Sequence, residues 1–338
     1  MKSANRILCY GRCGWIRSDQ RKMKTDDSSL IKMTGGSTSQ NDSAALDPFF
    51  TDAIRRSETL EHSGRKFTDH LLGTWLLLKS WGAPENVCRA GLYHSCYGTQ
   101  FYVNSLYDFS ERSYVRSFIG SVAEGLAYQF CTIDRTDLWE QAERMPTSGA
   151  IKVRIIAGGQ RRLSVRNAAQ ILLIESANLA EQSAGIGGEP SEWLTQFAGW
   201  AQCLKRFGYR LPFGNSFQIT RHRETRALKL YGDLGLEFSG LESKHLDEII
   251  RLNPWVGEPR ILRGLNAPQS GNRVLAYSDA AAGSNLLKTW SIAWDKRLRL
   301  TQWFSVADSV MRRAVGVSRQ TKSDIDYDRI VEFLRNAD

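Results

Sequence analysis

Long apolar runs are missing from this chain. Stretches such as Trp75-Leu76-Leu77-Leu78 have the length of a helix face and fall far short of the ~18 residues that a membrane span needs. No membrane association is expected. Cysteine is sparse and unpatterned: Cys9, Cys13, Cys88, Cys96, Cys131 and Cys203 form neither a C-x-x-C pair nor the dense spacing of a secreted disulfide framework. No apolar leader segment precedes them, so the expected setting is reducing and cytoplasmic. Cys88 and Cys96 lie in apolar helical sequence and read as small buried hydrophobes. A phosphate-cradling loop is also missing. The pieces Gly35-Gly36, Gly158-Gly159 and Gly185-Ile186-Gly187-Gly188 lack the preceding strand and following helix that such a loop requires, and they read as turns.

Apolar content is not lacking. Of 338 residues 42% are hydrophobic and 10 are Trp, enough for a substantial core. The net charge of +9 raises nucleic acid as a partner, but residues 1–25 carry seven basic side chains against Asp19 alone, which is +6 of the +9. The rest of the chain is only mildly basic. The charge therefore belongs to a solvated tail, and no nucleic-acid partner is expected.

Residues 1–46 mix Gly, Ser, Thr, Asp and Lys without periodicity and are expected to form a disordered basic tail, because such sequence buries too little to offset chain entropy. From Asp47 the pattern is helical. Phe67, His70, Leu71, Thr74, Leu77, Leu78 and Trp81 recur at three- and four-residue intervals, and Gly82 stops that helix. Pro84 and Glu85 open a second helix whose inner face reads Val87, Ala90, Gly91, His94, so that His70 and His94 face each other across one hairpin. Helices near 110–133, broken at Gly120, put Val122, Leu126 and Phe130 on one face. The alternation at 151–156 and 162–165 predicts a small two-stranded excursion. A helix over 166–183 brings Asn178 and Glu181 roughly to one side. Helices are expected through 192–206 and near 222–235, 240–252, 280–294, 297–313 and 323–336. The segment Asn253-Pro254-Trp255-Val256-Gly257-Glu258-Pro259 reads as a turn between stacked helix pairs. The expected fold is all-α, with a helical domain at 47–186 and a helical C-terminal region at 187–338.

Three of the 5 histidines, His62, His70 and His94, fall within residues 62–94. On apolar helix faces, His70 and His94 are read either as metal ligands or as buried imidazoles hydrogen-bonded to each other, Asn178, Ser95 or Tyr97, since an unpaired buried polar group costs about 1–3 kcal/mol. His222 and His245 lie in charged helical sequence and read as surface groups. Trp290, Trp294 and Trp303 read as core or interface residues.

The arrangement Gly64-x-x-Phe67-x-x-His70, then His94-Ser95, then Ser176-Ala177-Asn178 resembles the metal-dependent HD phosphohydrolases, and among them the RelA/SpoT-type guanosine tetraphosphate hydrolases. The resemblance covers about residues 53–184. It implies an HD-like helical domain with His70, His94 and Asn178 as metal ligands for a divalent ion such as Mn, Fe or Zn. The chain departs from that pattern in its acids: Ser95 stands where the H-D pair has Asp, Gly98-Thr99 where the hydrolases carry Glu-Asp, and Asn178 where they carry the last Asp. Loss of anionic ligands weakens binding of a hard divalent ion. The stretch from His62 to Thr99 is more similar still to an uncharacterised bacterial and plant family that lacks the same acids, which implies a degenerate metal site with altered or lost chemistry.

Around this core, Tyr97 and Glu181 are candidate catalytic groups, and His62, Arg65 and Lys66 are candidate contacts for a phosphorylated substrate. Two functions follow as expectations. One is an altered metal site acting on a small phosphorylated or oxidisable substrate by hydrolysis or oxygen chemistry. The other is a non-catalytic helical protein that keeps the scaffold to bind a small molecule or nucleotide, or to interact with partners. The sequence fixes no oligomeric state.

Overall fold

The computed structural model describes residues 48–57, 60–62, 65–185, 187–233, 243–267 and 272–316. The basic tail 1–46 and the expected helix 323–336 lie outside the described residues. What is described is mostly helical with a small sheet component, as the periodicity predicts.

The chain opens with α1 (Pro48–Ser57) and a two-residue antiparallel pairing of β1 (Glu61–His62) with β2 (Arg65–Lys66). Next come α2 (Phe67–Ser80), α3 (Glu85–Leu92), α4 (Arg112–Ile119), α5 (Ser121–Thr132) and α6 (Arg135–Gln141). The hairpin of β3 (Ala150–Arg154) and β4 (Gln160–Ser164) pairs Lys152 with Arg162 and leads straight into α7 (Val165–Gln182). Then follow α8 (Leu194–Arg206), α9 (Arg221–Asp233), α10 (Ser243–Leu252), α11 (Glu258–Asn266), α12 (Arg273–Trp290) and α13 (Leu300–Ala314).

Local chemistry explains these boundaries. Gly82, at φ +69°, takes the left-handed conformation that ends α2. Asp134 caps α6 by accepting the backbone N–H groups of Thr136 and Asp137, and the Ser164 hydroxyl accepts that of Asn167 at the start of α7. The buried Glu224 carboxylate accepts the backbone N–H groups of Trp193, Leu194 and Thr195, which satisfies the first turn of α8 from a distant helix.

α7 is the centre of the fold. It packs on α2, α3, α5 and α8, and residues on every side of it are buried, from Val165 and Ala168 to Ala180 and Glu181. The sequence reading put only one side of this helix inward. Apolar side chains from Ala53 to Val310 form one continuous core. Cys88, Cys96, Trp290, Trp294 and Trp303 are all part of it, whereas His222 and His245 are exposed.

Three local expectations are corrected. Val122 is exposed at 61%, and the inner face of α5 is Ala123, Leu126, Ala127 and Phe130. The second hairpin helix ends at Leu92, two residues before His94. Beyond the turn at 253–257 the chain makes a further helix, α11, and α12 begins at Arg273 rather than near 280. α11 and α12 approach so closely that a Cβ on Gly257 would lie 2.3 Å from the Gly283 carbonyl oxygen, an approach that apolar periodicity does not reveal.

Candidate metal centre between two buried histidines

His70 sits on α2, His94 just beyond α3, and Asn178, Glu181 and Gln182 on the last turns of α7. Packing of these three helices brings all five side chains together, and both imidazoles are fully buried. The Nε2 atoms of His70 and His94 are 3.0 Å apart, and the Asn178 side-chain oxygen is 3.1 Å from His94 Nε2.

The outer nitrogens fix the tautomers. His94 Nδ1 is 2.7 Å from the Gly91 carbonyl oxygen, which can only accept, so Nδ1 carries the proton. His70 Nδ1 is 2.5 Å from the Glu181 carboxylate and, with that group ionised, is the donor to it. Both Nε2 lone pairs therefore turn inward, with the Asn178 oxygen beside them. A proton or a metal cation between the two nitrogens would stabilise a 3.0 Å contact of this kind. The Gln182 amide nitrogen lies 3.2 Å from His70 Nε2.

Gly91 is where α3 meets α2, since a Cβ there would lie 2.1 Å from Leu78 Cδ1. The Gly91 carbonyl accepts from the His94 ring at 2.7 Å and also from the His94 backbone N–H at 3.5 Å. The Cys131 thiol donates to the His94 carbonyl, and burial pushes that thiol up to about 12.

The other sequence candidates divide. Glu181 joins the centre, but as the acceptor that orients His70. Asn178 and Glu181 are both buried, so neither reaches solvent. Tyr97 is directed elsewhere: its hydroxyl, pushed up by burial and by the neighbouring Cys96 and Glu124, donates to Glu124 at 3.3 Å. Burial works to raise the Glu124 carboxyl, but hydrogen bonds from Arg112 and Arg116 hold it low. The partners that orient the imidazoles are Gly91 and Glu181. Lys66 is exposed at the start of α2. His62 and Arg65 occupy β1 and β2, and their side chains lie outside the described residues.

Glu175 and Arg135 escaped the sequence reading. The Glu175 carboxylate accepts from Asn178 Nδ2 at 3.3 Å and from Arg135 Nη1 at 2.6 Å. The one available signal was spacing, because Glu175, Asn178 and Gln182 follow the i, i+3, i+7 stripe of a single helix face. Among the described residues no three His, Cys, Asp or Glu side chains group as a metal site. The third converging ligand atom here is an amide oxygen.

Residues 53–135 match the family model of a domain of unknown function (DUF6817), a segment that includes His70 and His94 but stops before α7. No curated protein and no solved structure matches the chain. Among the described residues no helix is long and apolar enough to cross a membrane.

Proposed function

We propose that His70 Nε2, His94 Nε2 and Asn178 Oδ1 hold a divalent transition-metal ion, and that this altered HD-like centre serves a small phosphorylated or oxidisable ligand. The supporting observation is the inward convergence of two imidazole lone pairs and an amide oxygen at 3.0 and 3.1 Å. The donor set of two neutral imidazoles and an amide oxygen would suit Mn, Fe or Zn. A bound ion would supply Lewis acidity or redox chemistry there.

The chain's own residues define what it adds. Glu181 and the Gly91 carbonyl fix the ring orientations, as outer partners of metal-bound histidines do. Because Glu181 is committed to His70 Nδ1, it is poorly placed to act as a general base, which argues against phosphoester hydrolysis by the route of the HD hydrolases.

A second reading rests on the complete burial of both rings. In it a proton bridges the Nε2 atoms, and the pair is a satisfied polar element of a non-catalytic scaffold. Elemental analysis of the full chain purified without chelators separates the two. Near-stoichiometric Mn, Fe or Zn that is lost in His94→Ala and His94→Gln supports the metal centre. Metal-free wild-type protein whose melting temperature ignores added Mn²⁺, Fe²⁺ and Zn²⁺ overturns it.

A further inference from the structure

The Asn178 amide has two orientations of nearly equal shape, and only one of them offers an oxygen to a cation. In the flipped orientation the NH₂ group would donate to the His94 Nε2 lone pair and close the centre as an ordinary hydrogen bond. Nothing at His94 itself prevents that flip. The obstacle lies one turn back on α7, where Glu175 accepts from Asn178 Nδ2 at 3.3 Å. Flipping would set the amide oxygen against a carboxylate in a buried site, where such a contact is strongly unfavourable.

Glu175 is itself held. Arg135 Nη1 donates to the same carboxylate oxygen at 2.6 Å, and both side chains are 5% exposed. The guanidinium lies 4.8 Å from the Phe101 ring centroid and 4.5 Å from that of Phe130. Its second terminal nitrogen reaches the Thr99 hydroxyl at 3.5 Å. A cation packed against two rings and paired in the interior fixes its carboxylate partner far more firmly than a surface pair would. The same geometry accounts for an amide at 178: an Asp there would put a second carboxylate beside Glu175.

We propose that Arg135 and Glu175 are positioning residues that lock the Asn178 amide with its oxygen toward His94. The proposal rests on the metal reading for its purpose, but not for its geometry. The test titrates Mn²⁺ into the metal-free full chain and follows free Mn²⁺ by electron paramagnetic resonance. Arg135→Met/Glu175→Leu replaces the ion pair with apolar groups of similar volume, a change that buried pairs tolerate. It should bind Mn²⁺ at least ~10-fold more weakly than wild type. Glu175→Gln keeps an oxygen for both donors and should stay within about threefold of wild type. Equal affinity in the double variant overturns the proposal, as does a loss in Glu175→Gln as large as in the double variant, which would make the charge decisive rather than the orientation.

Nuclear magnetic resonance of the Asn178 side-chain amide in unmutated protein decides the matter without any variant. Slowly exchanging Nδ2 protons with no contact to the His94 ring support the lock, and rapid exchange or a close approach to that ring overturns it. If wild type fails to bind Mn²⁺ while the amide remains locked, the metal reading falls and the positioning role stands.

Discussion

The ammonium of Lys296 donates to the main-chain oxygen of Glu181 at 2.7 Å, and the Glu181 carboxylate reaches back to His70 Nδ1. The same ammonium donates to the carbonyls of Ala180 and Ser183, at 2.7 and 3.2 Å. A side chain from the C-terminal half thus satisfies carbonyls that α7 leaves open at its end, with a cation at the negative pole of the helix. Lys296→Met should lower unfolding free energy by about 2–4 kcal/mol, since it removes charged hydrogen bonds and leaves buried carbonyls unpaired. Urea denaturation measures the loss. A change below about 0.5 kcal/mol would show that water replaces the ammonium without cost.

The two candidate catalytic residues should behave differently. Glu181→Gln should weaken Mn²⁺ binding by about 10- to 100-fold through loss of the charged partner of His70. Tyr97→Phe should leave Mn²⁺ affinity unchanged and cost about 1 kcal/mol, the worth of one buried hydrogen bond to Glu124. Isothermal titration and thermal melts of both variants check the contrast.

Gly73 on α2 leaves room for Glu181. A Cβ there would lie 2.8 Å from Glu181 Cγ and 3.0 Å from its Oε1. Gly73→Ala should therefore push the carboxylate off His70, costing about 1–3 kcal/mol by overpacking and weakening Mn²⁺ binding in the same direction as Glu181→Gln. Unchanged affinity would mean that Glu181 relaxes without releasing the ring.

Stability should also depend on pH through Glu258. Burial lifts this carboxyl from 4.5 to about 7, with Asp295 adding to the rise and backbone N–H donors, including those of Trp294 and Asp295, opposing it. Its Oε2 meets no partner among the described residues. Between about 4.5 and about 7 the folded protein holds this proton more tightly than the unfolded chain. The stabilisation is complete below 4.5 and is lost as pH rises through about 7, a change of a few kcal/mol. Denaturation curves across that window should show the slope in wild type and its absence in Glu258→Gln.

Much of the fold was legible because helices announce themselves by local rules. The spacing of Phe67, Leu71, Thr74 and Leu78, the stop at Gly82 and the alternation before Ser164 depend on neighbours in sequence. The close packing of α11 on α12 was not legible, since it depends on glycines at 257 and 283, far apart along the chain. The end of α3 at Leu92, where the Gly91 carbonyl accepts both the ring and the backbone N–H of His94, left no signal in the apolar spacing.

By itself, the sequence indicated a mostly helical pattern from Asp47 onward and a two-stranded excursion, both of which the described residues show, and it set His70 and His94 on facing apolar surfaces. Only the tertiary structure decided what those imidazoles face. Helical periodicity specifies which side of a helix turns inward, but not which atom of a partner helix stands opposite. The pairing of His70 with Glu181, the direction of the Asn178 amide beside Glu175, and the turning of Tyr97 toward Glu124 are set by the packing of α7 against α2, α3 and α5. Hydrogen bonds of fixed length and direction select one partner from among several that the sequence leaves equivalent.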